Sequence, residues 1–104
     1  GQTLNVANEK RAYTLADRGT YLALKKRLDL PILVEGDAIL LNIYHVIEVN
    51  PVKFPKVNAK GAQAFADFMV STETQNIIKT FGVDKFGSPL FFPDAGKKVE
   101  DLGK

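Results

Sequence analysis

The run Tyr13-Thr14-Leu15-Ala16-Asp17-Arg18-Gly19-Thr20-Tyr21 sets the tightest constraint on this chain, because it puts polar groups, an arginine and a glycine where a short apolar strand turns into a helix. The first turn of a helix leaves backbone N–H groups without intrahelical partners, and the aligned peptide dipoles add partial positive charge at the same end. Such an end attracts phosphate-like ligands. Arg18 adds a planar guanidinium suited to bidentate contact with a tetrahedral oxyanion, and Gly19 lets a ligand or another backbone come close. Asp17 would repel an anion, which makes it the N-cap of the helix or the group that holds Arg18 in place. Taken by itself, the run is either an anion-holding junction or an ordinary capped helix start on the surface.

The remaining pattern alternates helical and extended segments and reads as α/β. Leu4 and Ala7, three apart, mark a weak helix from Gly1 to about Lys10. Ala12 to Leu15 reads as a short strand, and Tyr21, Leu24 and Leu28 form one stripe of a helix that starts at Arg18. Pro31 forces its end. Ile32-Leu33-Val34 reads as a buried strand, Glu35-Gly36-Asp37 as a turn, and Ile39 to Val49 as the clearest strand, closed by Asn50-Pro51. After a surface connection over 52–57, Ala62, Phe65, Phe68 and Met69 line a helix from about Asn58 to Val70. Ser71 or Thr72 caps the next helix, with Gln75 placed for a capping box behind Thr72 and Gly82 as its stop. Phe86 to Pro93 reads as an apolar, proline-bounded strand or extended segment, and Asp94 to Lys104 as a loosely ordered tail.

Composition narrows the chemistry. At 104 residues with 45% apolar content the chain can form one modest core. Its formal charge of +2 is spread without a dense basic tract, and no aromatic residues interleave with Lys/Arg, so nucleic acid is not implied. Without cysteine there are no disulfides, thiol nucleophiles or cysteine metal sites. His45, the single histidine, lies in an apolar stretch with nothing to complete a metal site, which makes it a structural or edge residue. Glu9, Glu35 and Asp37 have no spacing that forces them into an acid/base set, and no nucleophile elbow, phosphate loop or zinc helix is present. No catalytic residue, metal or cofactor is expected. No apolar run is long enough to span a membrane, and no signal peptide opens the chain.

Several motifs then agree in order. Asn8-Glu9-Lys10-Arg11-Ala12, the Tyr13 to Tyr21 run, Ile32-Leu33-Val34-Glu35-Gly36-Asp37, Leu40-Leu41-Asn42, Val46-Ile47-Glu48-Val49-Asn50-Pro51 and Phe86-Gly87-Ser88-Pro89-Leu90-Phe91 together resemble the tungstate-binding solute receptors of bacterial ABC transporters. The resemblance runs from about Gly1 to about Ala95 and implies the C-terminal portion of a type II periplasmic-binding-protein fold. Residues 1–49 are then a second-lobe segment with a crossover strand, 50–95 a helical segment returning to the first lobe, and 96–104 a tail. Where the family carries Pro and Gly around the tyrosine of the crossover strand, this chain has Asn42-Ile43-Tyr44-His45. The family's Thr/Ser-rich and Ser-Arg-Gly-Asp-like segments, which supply much of the oxyanion site, do not occur here.

The ligand so implied is tungstate, with molybdate the nearest competitor. Arg18 is the expected charged donor, Thr14 and Thr20 the hydroxyl donors, and the backbone from Asp17 to Gly19 supplies N–H groups. The implied partner is an ABC permease, and the implied location is periplasmic or extracytoplasmic, with the signal peptide in a preceding portion. The helix faces bearing Phe65, Phe68, Met69, Ile78 and Phe81 would lack their full sheet partner, so self-association or a rearranged packing is expected. Two other readings stay open on sequence grounds: the effector-sensing domain of a transcription regulator, which uses the same fold, and a small interaction module without a small-molecule ligand.

Overall fold

The computed structural model describes residues 1–104, which cluster into two units. One comprises residues 1–42 and 81–91, the other residues 43–80 and 92–104. Five α-helices form along the chain: α1 (Gln2–Lys10), α2 (Arg18–Leu24), α3 (Ala59–Val70), α4 (Thr72–Thr80) and the short α5 (Val83–Phe86).

In the first unit, α1 buries Leu4 and Ala7, the pair whose spacing marks the helix in the sequence. It closes at Arg11, which takes the left-handed conformation with φ 50° while the Ala12 N–H donates to the Ala7 carbonyl at 2.9 Å. The second helix, α2, continues as a 3-10 turn over Lys25–Arg27 and ends at Leu28, which is extended. Two polar bonds fix the connection beyond it. The Tyr21 hydroxyl donates to the Leu30 carbonyl at 2.9 Å, and the Asp29 N–H donates to Asn8 Oδ1 at 2.7 Å, tying the end of this helix to α1. A 3-10 turn at Ala38–Leu40 is capped by Asp37, whose Oδ1 accepts from the Ile39 N–H at 2.9 Å.

The segment 81–91 completes this unit. Its helix α5 lies between Gly82 at φ 91° and Gly87 at φ 76°. The Leu90 N–H donates to the Phe81 carbonyl at 3.0 Å, and the Phe81 and Phe91 rings meet with centroids 6.2 Å apart. Leu90 fills the space beside two glycines: a Cβ on Gly82 would lie 2.6 Å from its Cγ, and one on Gly19 would lie 3.8 Å from its Cδ1.

In the second unit α3 packs on α4. Asn58 caps α3, its Oδ1 accepting from the Gly61 N–H at 3.0 Å. Ser71 serves both helices: its hydroxyl donates to the Phe68 carbonyl at 2.7 Å at the end of α3, and its oxygen accepts from the Thr74 N–H at 3.3 Å at the start of α4. The capping box expected from Thr72 and Gln75 does not form. Gln75 instead donates to the Met69 carbonyl at 2.9 Å and accepts from the Ala95 N–H at 3.1 Å, because its amide can satisfy a carbonyl and an N–H at once. The tail is also more ordered than its composition implies. Asp94 accepts from the Gly103 N–H at 3.0 Å and from Lys97 Nζ at 3.1 Å, and a 3-10 turn forms at Val99–Asp101.

The expected α/β character is where the structure departs most from the sequence reading. Its regular elements are helices and 3-10 turns, and no strand forms. Residues 12–15, 32–34 and 41–49 make no ladder hydrogen bonds, and the first residues of the Ile39–Val49 stretch belong to the 3-10 turn instead. Alternating apolar residues prepare a segment to be half-buried, but a strand exists only when a neighbouring strand accepts its N–H and C=O groups. These 104 residues bring no such neighbour alongside, so apolar positions suited to a sheet stay open: Leu33 is 67% exposed, Val34 70% and Ile47 84%. The helix faces behave similarly, with Phe65, Phe68 and Phe81 each more than half exposed. No helix is long and apolar enough to cross a membrane.

Candidate functional site

The junction ahead of α2 is built by one carboxylate. Asp17 is extended, with φ −73° and ψ 151°, and its Oδ2 accepts from the Thr20 N–H at 2.9 Å while its carbonyl accepts from the Tyr21 N–H at 3.1 Å. This is an N-cap, and it starts the helix at Arg18. The Thr20 N–H, followed by the Thr20 hydroxyl, holds the Asp17 carboxyl below the usual carboxylate range, against a smaller upward push from burial. The charged form therefore stabilises the fold at neutral pH. Because the folded pKa is depressed, that contribution is present above about pH 4 and is lost as the pH falls through the folded value.

Asp17→Ala is expected to cost about 0.5–2 kcal/mol at pH 7. Asp17→Asn keeps the cap and removes only the acid-dependent part, so its urea midpoint should match the parent at pH 7 and fall less between pH 5 and 3. Equal acid sensitivity of Asp17→Asn and the parent would show that the carboxylate is not the titrating group.

Arg18 starts α2 and projects its guanidinium to Glu35, with Nη2 and Oε2 3.3 Å apart. Both side chains keep solvent contact, at 40% and 57% exposure. The helix has seven residues, so its dipole is short and Arg18 supplies the larger positive charge of the junction. Gly19 has no left-handed backbone. A Cβ there would meet Asp17 Oδ2 at 3.4 Å and Leu90 at 3.8 Å, both ordinary contacts, so this direction is already occupied by protein.

The sequence-derived set is only partly drawn together. Asp17, Arg18, Gly19 and Thr20 share one turn, and Thr20 is committed to Asp17 through its N–H and hydroxyl. The Thr14 hydroxyl donates to the neighbouring Leu15 carbonyl at 3.3 Å. The group that sequence reasoning did not place here is Glu35. It lies 17 residues from Arg18, and only its sign of charge and its position in a turn hinted at the pairing. A separate groove of about 350 Å³ lies in the second unit, lined by residues that include Thr72, Gln75 and Lys79.

Three relatives match most of this chain. The tungstate-binding protein TupA of Peptoclostridium acidaminophilum is 50% identical over 93% of this chain and 34% of its own length. A putative ABC transporter anion-binding protein of Haloferax volcanii is 48% identical over all of this chain and 31% of its own length. The tungstate-binding protein TupA of Campylobacter jejuni is 37% identical over 89% of this chain and 35% of its own length. The chain thus spans about a third of the length of the curated relatives it matches. No solved structure gives a significant match. A PBP superfamily domain matches residues 1–73, and with that match over most of its length the chain belongs to the PBP superfamily.

Proposed function

We propose that the full-length protein carrying this chain is an extracytoplasmic receptor for a tetrahedral oxyanion, tungstate first and molybdate next, which it delivers to an ABC permease. The observation that carries this reading is the 50% identity to a tungstate-binding protein over 93% of the chain, a span that takes in the Asp17-Arg18-Gly19-Thr20 junction. In this reading residues 1–49 contribute to the second lobe and its crossover, 50–95 return to the first lobe, and 96–104 form the tail. The extended segments that form no ladder here are then sheet strands whose neighbours come from the rest of the protein.

This chain contributes part of the site. Arg18 is the charged donor, the Asp17 to Gly19 backbone supplies N–H groups, and Thr14 and Thr20 offer hydroxyls once a ligand competes for them. Bonds to a charged acceptor are stronger than neutral ones, so a dianion can draw hydroxyls from weak local bonds such as that of Thr14 at 3.3 Å. Calorimetric titration of tungstate into the full-length protein, with sulfate as control, tests the reading. A saturable one-to-one response to tungstate and none to sulfate is expected. Silence toward both ions would overturn the ligand assignment.

A further inference from the structure

The Arg18 guanidinium is not waiting bare for a ligand: Glu35 already lies against it, Oε2 to Nη2 at 3.3 Å. We propose that the Glu35 carboxylate is an internal stand-in for the oxyanion, an affinity-setting residue that occupies Arg18 in the unliganded protein and must give way when the ligand arrives. This rests on the reading of Arg18 as the anion donor.

The two partners are held very differently. Arg18 is the first residue of a helix fixed by the Asp17 cap at 2.9 Å and by the Tyr21 N–H on the Asp17 carbonyl. Glu35 ends a segment with no ladder bonds, comes after Leu33 and Val34 that are 67% and 70% exposed, and precedes Gly36 at φ 79°. A turn of this kind reorients at little cost. The Nη2–Oε2 contact lies at the long end of hydrogen-bonding distance, whereas a carboxylate that fixes an arginine does so through short, parallel bonds. Glu35 is therefore poorly suited to position Arg18 and well suited to leave it.

Charge gives the exchange its direction. A carboxylate carries one negative charge, while a tetrahedral dianion brings two charges and enough oxygens to take the guanidinium fork bidentately. If Glu35 remained in place, like charges would be crowded together. A weak acceptor fails to displace the carboxylate and a strong one succeeds, so Glu35 raises the threshold for binding without forming part of the liganded site.

The test is titration of sodium tungstate at fixed ionic strength into the full-length protein and its Glu35→Gln, Asp37→Asn and Arg18→Ala variants, with thermal melts to confirm folding. Glu35→Gln keeps the shape and removes the charge. It is expected to bind tungstate about two- to fivefold more tightly, the range set by releasing one exposed ion pair. Asp37→Asn keeps the cap on Ile39 and is expected to leave affinity unchanged, and Arg18→Ala to weaken it. Equal or weaker binding by Glu35→Gln, with Arg18→Ala impaired, would overturn this proposal and leave the Arg18 reading intact. An equal gain in Asp37→Asn would reduce the effect to general electrostatics and overturn it too. Unimpaired binding by Arg18→Ala would overturn the Arg18 reading and this inference with it.

Discussion

Arg18→Ala in the full-length protein is expected to lower tungstate affinity by about 30-fold or more, the range for truncating one member of a desolvated, hydrogen-bonded charge pair. The free protein should barely notice the change. Arg18 is 40% exposed on its side chain and its contact to Glu35 is an exposed pair, a type worth about 0–1 kcal/mol. Affinity and stability should therefore separate: a large change in the titration with a melting temperature within about 2 °C of the parent. Arg18→Lys should fall between, because an ammonium restores the charge without the planar fork. A loss below about threefold in Arg18→Ala would move the charged donor elsewhere in the protein.

The second large effect is expected in stability. Gly82 has φ 91°, and a Cβ built on it would lie 2.6 Å from Leu90 Cγ and 3.2 Å from its Cδ1. The close atom is the branch point of the leucine, not its tip, so a rotamer change alone does not clear the space. Gly82→Ala should cost about 2–4 kcal/mol, combining the left-handed backbone penalty with overpacking. Gly36→Ala is the internal comparison. Its φ is 79°, but nothing lies within 4 Å of the added methyl group, so only the backbone penalty of about 1–2 kcal/mol applies. Urea denaturation of both variants in the full-length protein measures the difference, and equal midpoints would show that Leu90 yields freely. Leu90 also lies beside Gly19, so a leucine pushed by the Gly82 methyl group would press on the turn that carries Arg18.

The helices were legible because their signals are local. Leu4 and Ala7 become the buried face of α1, and Tyr21 and Leu24 are half-buried on α2, since a 3.6-residue period is satisfied within the segment itself. Leu28, expected on the same stripe, lies past the helix in extended backbone. The Asp17 cap was legible for the same reason: its acceptor and the Thr20 N–H are three residues apart. Pairing at a distance stayed hidden. Ile39 to Val49 has the period of a strand but makes no ladder, because side-chain alternation says nothing about which chain comes alongside. Gln75 had the spacing for a capping box, yet Ala95, twenty residues on, competed for its amide. Glu35 beside Arg18 is another long-separation contact, and no local pattern encodes it.

The clasp at Asp94 shows that order and protection differ. Its carboxylate gathers the Gly103 N–H and Lys97 Nζ, and Lys97 also donates to the Lys104 carbonyl at 2.6 Å, so the segment folds back on itself through polar bonds. No apolar side chain of this segment is fully buried. Each of its bonds can exchange for one to water at small net cost. The loop is therefore a local opening unit, able to unclasp and reclose many times while the helices that carry Leu4 and Thr74 stay shut.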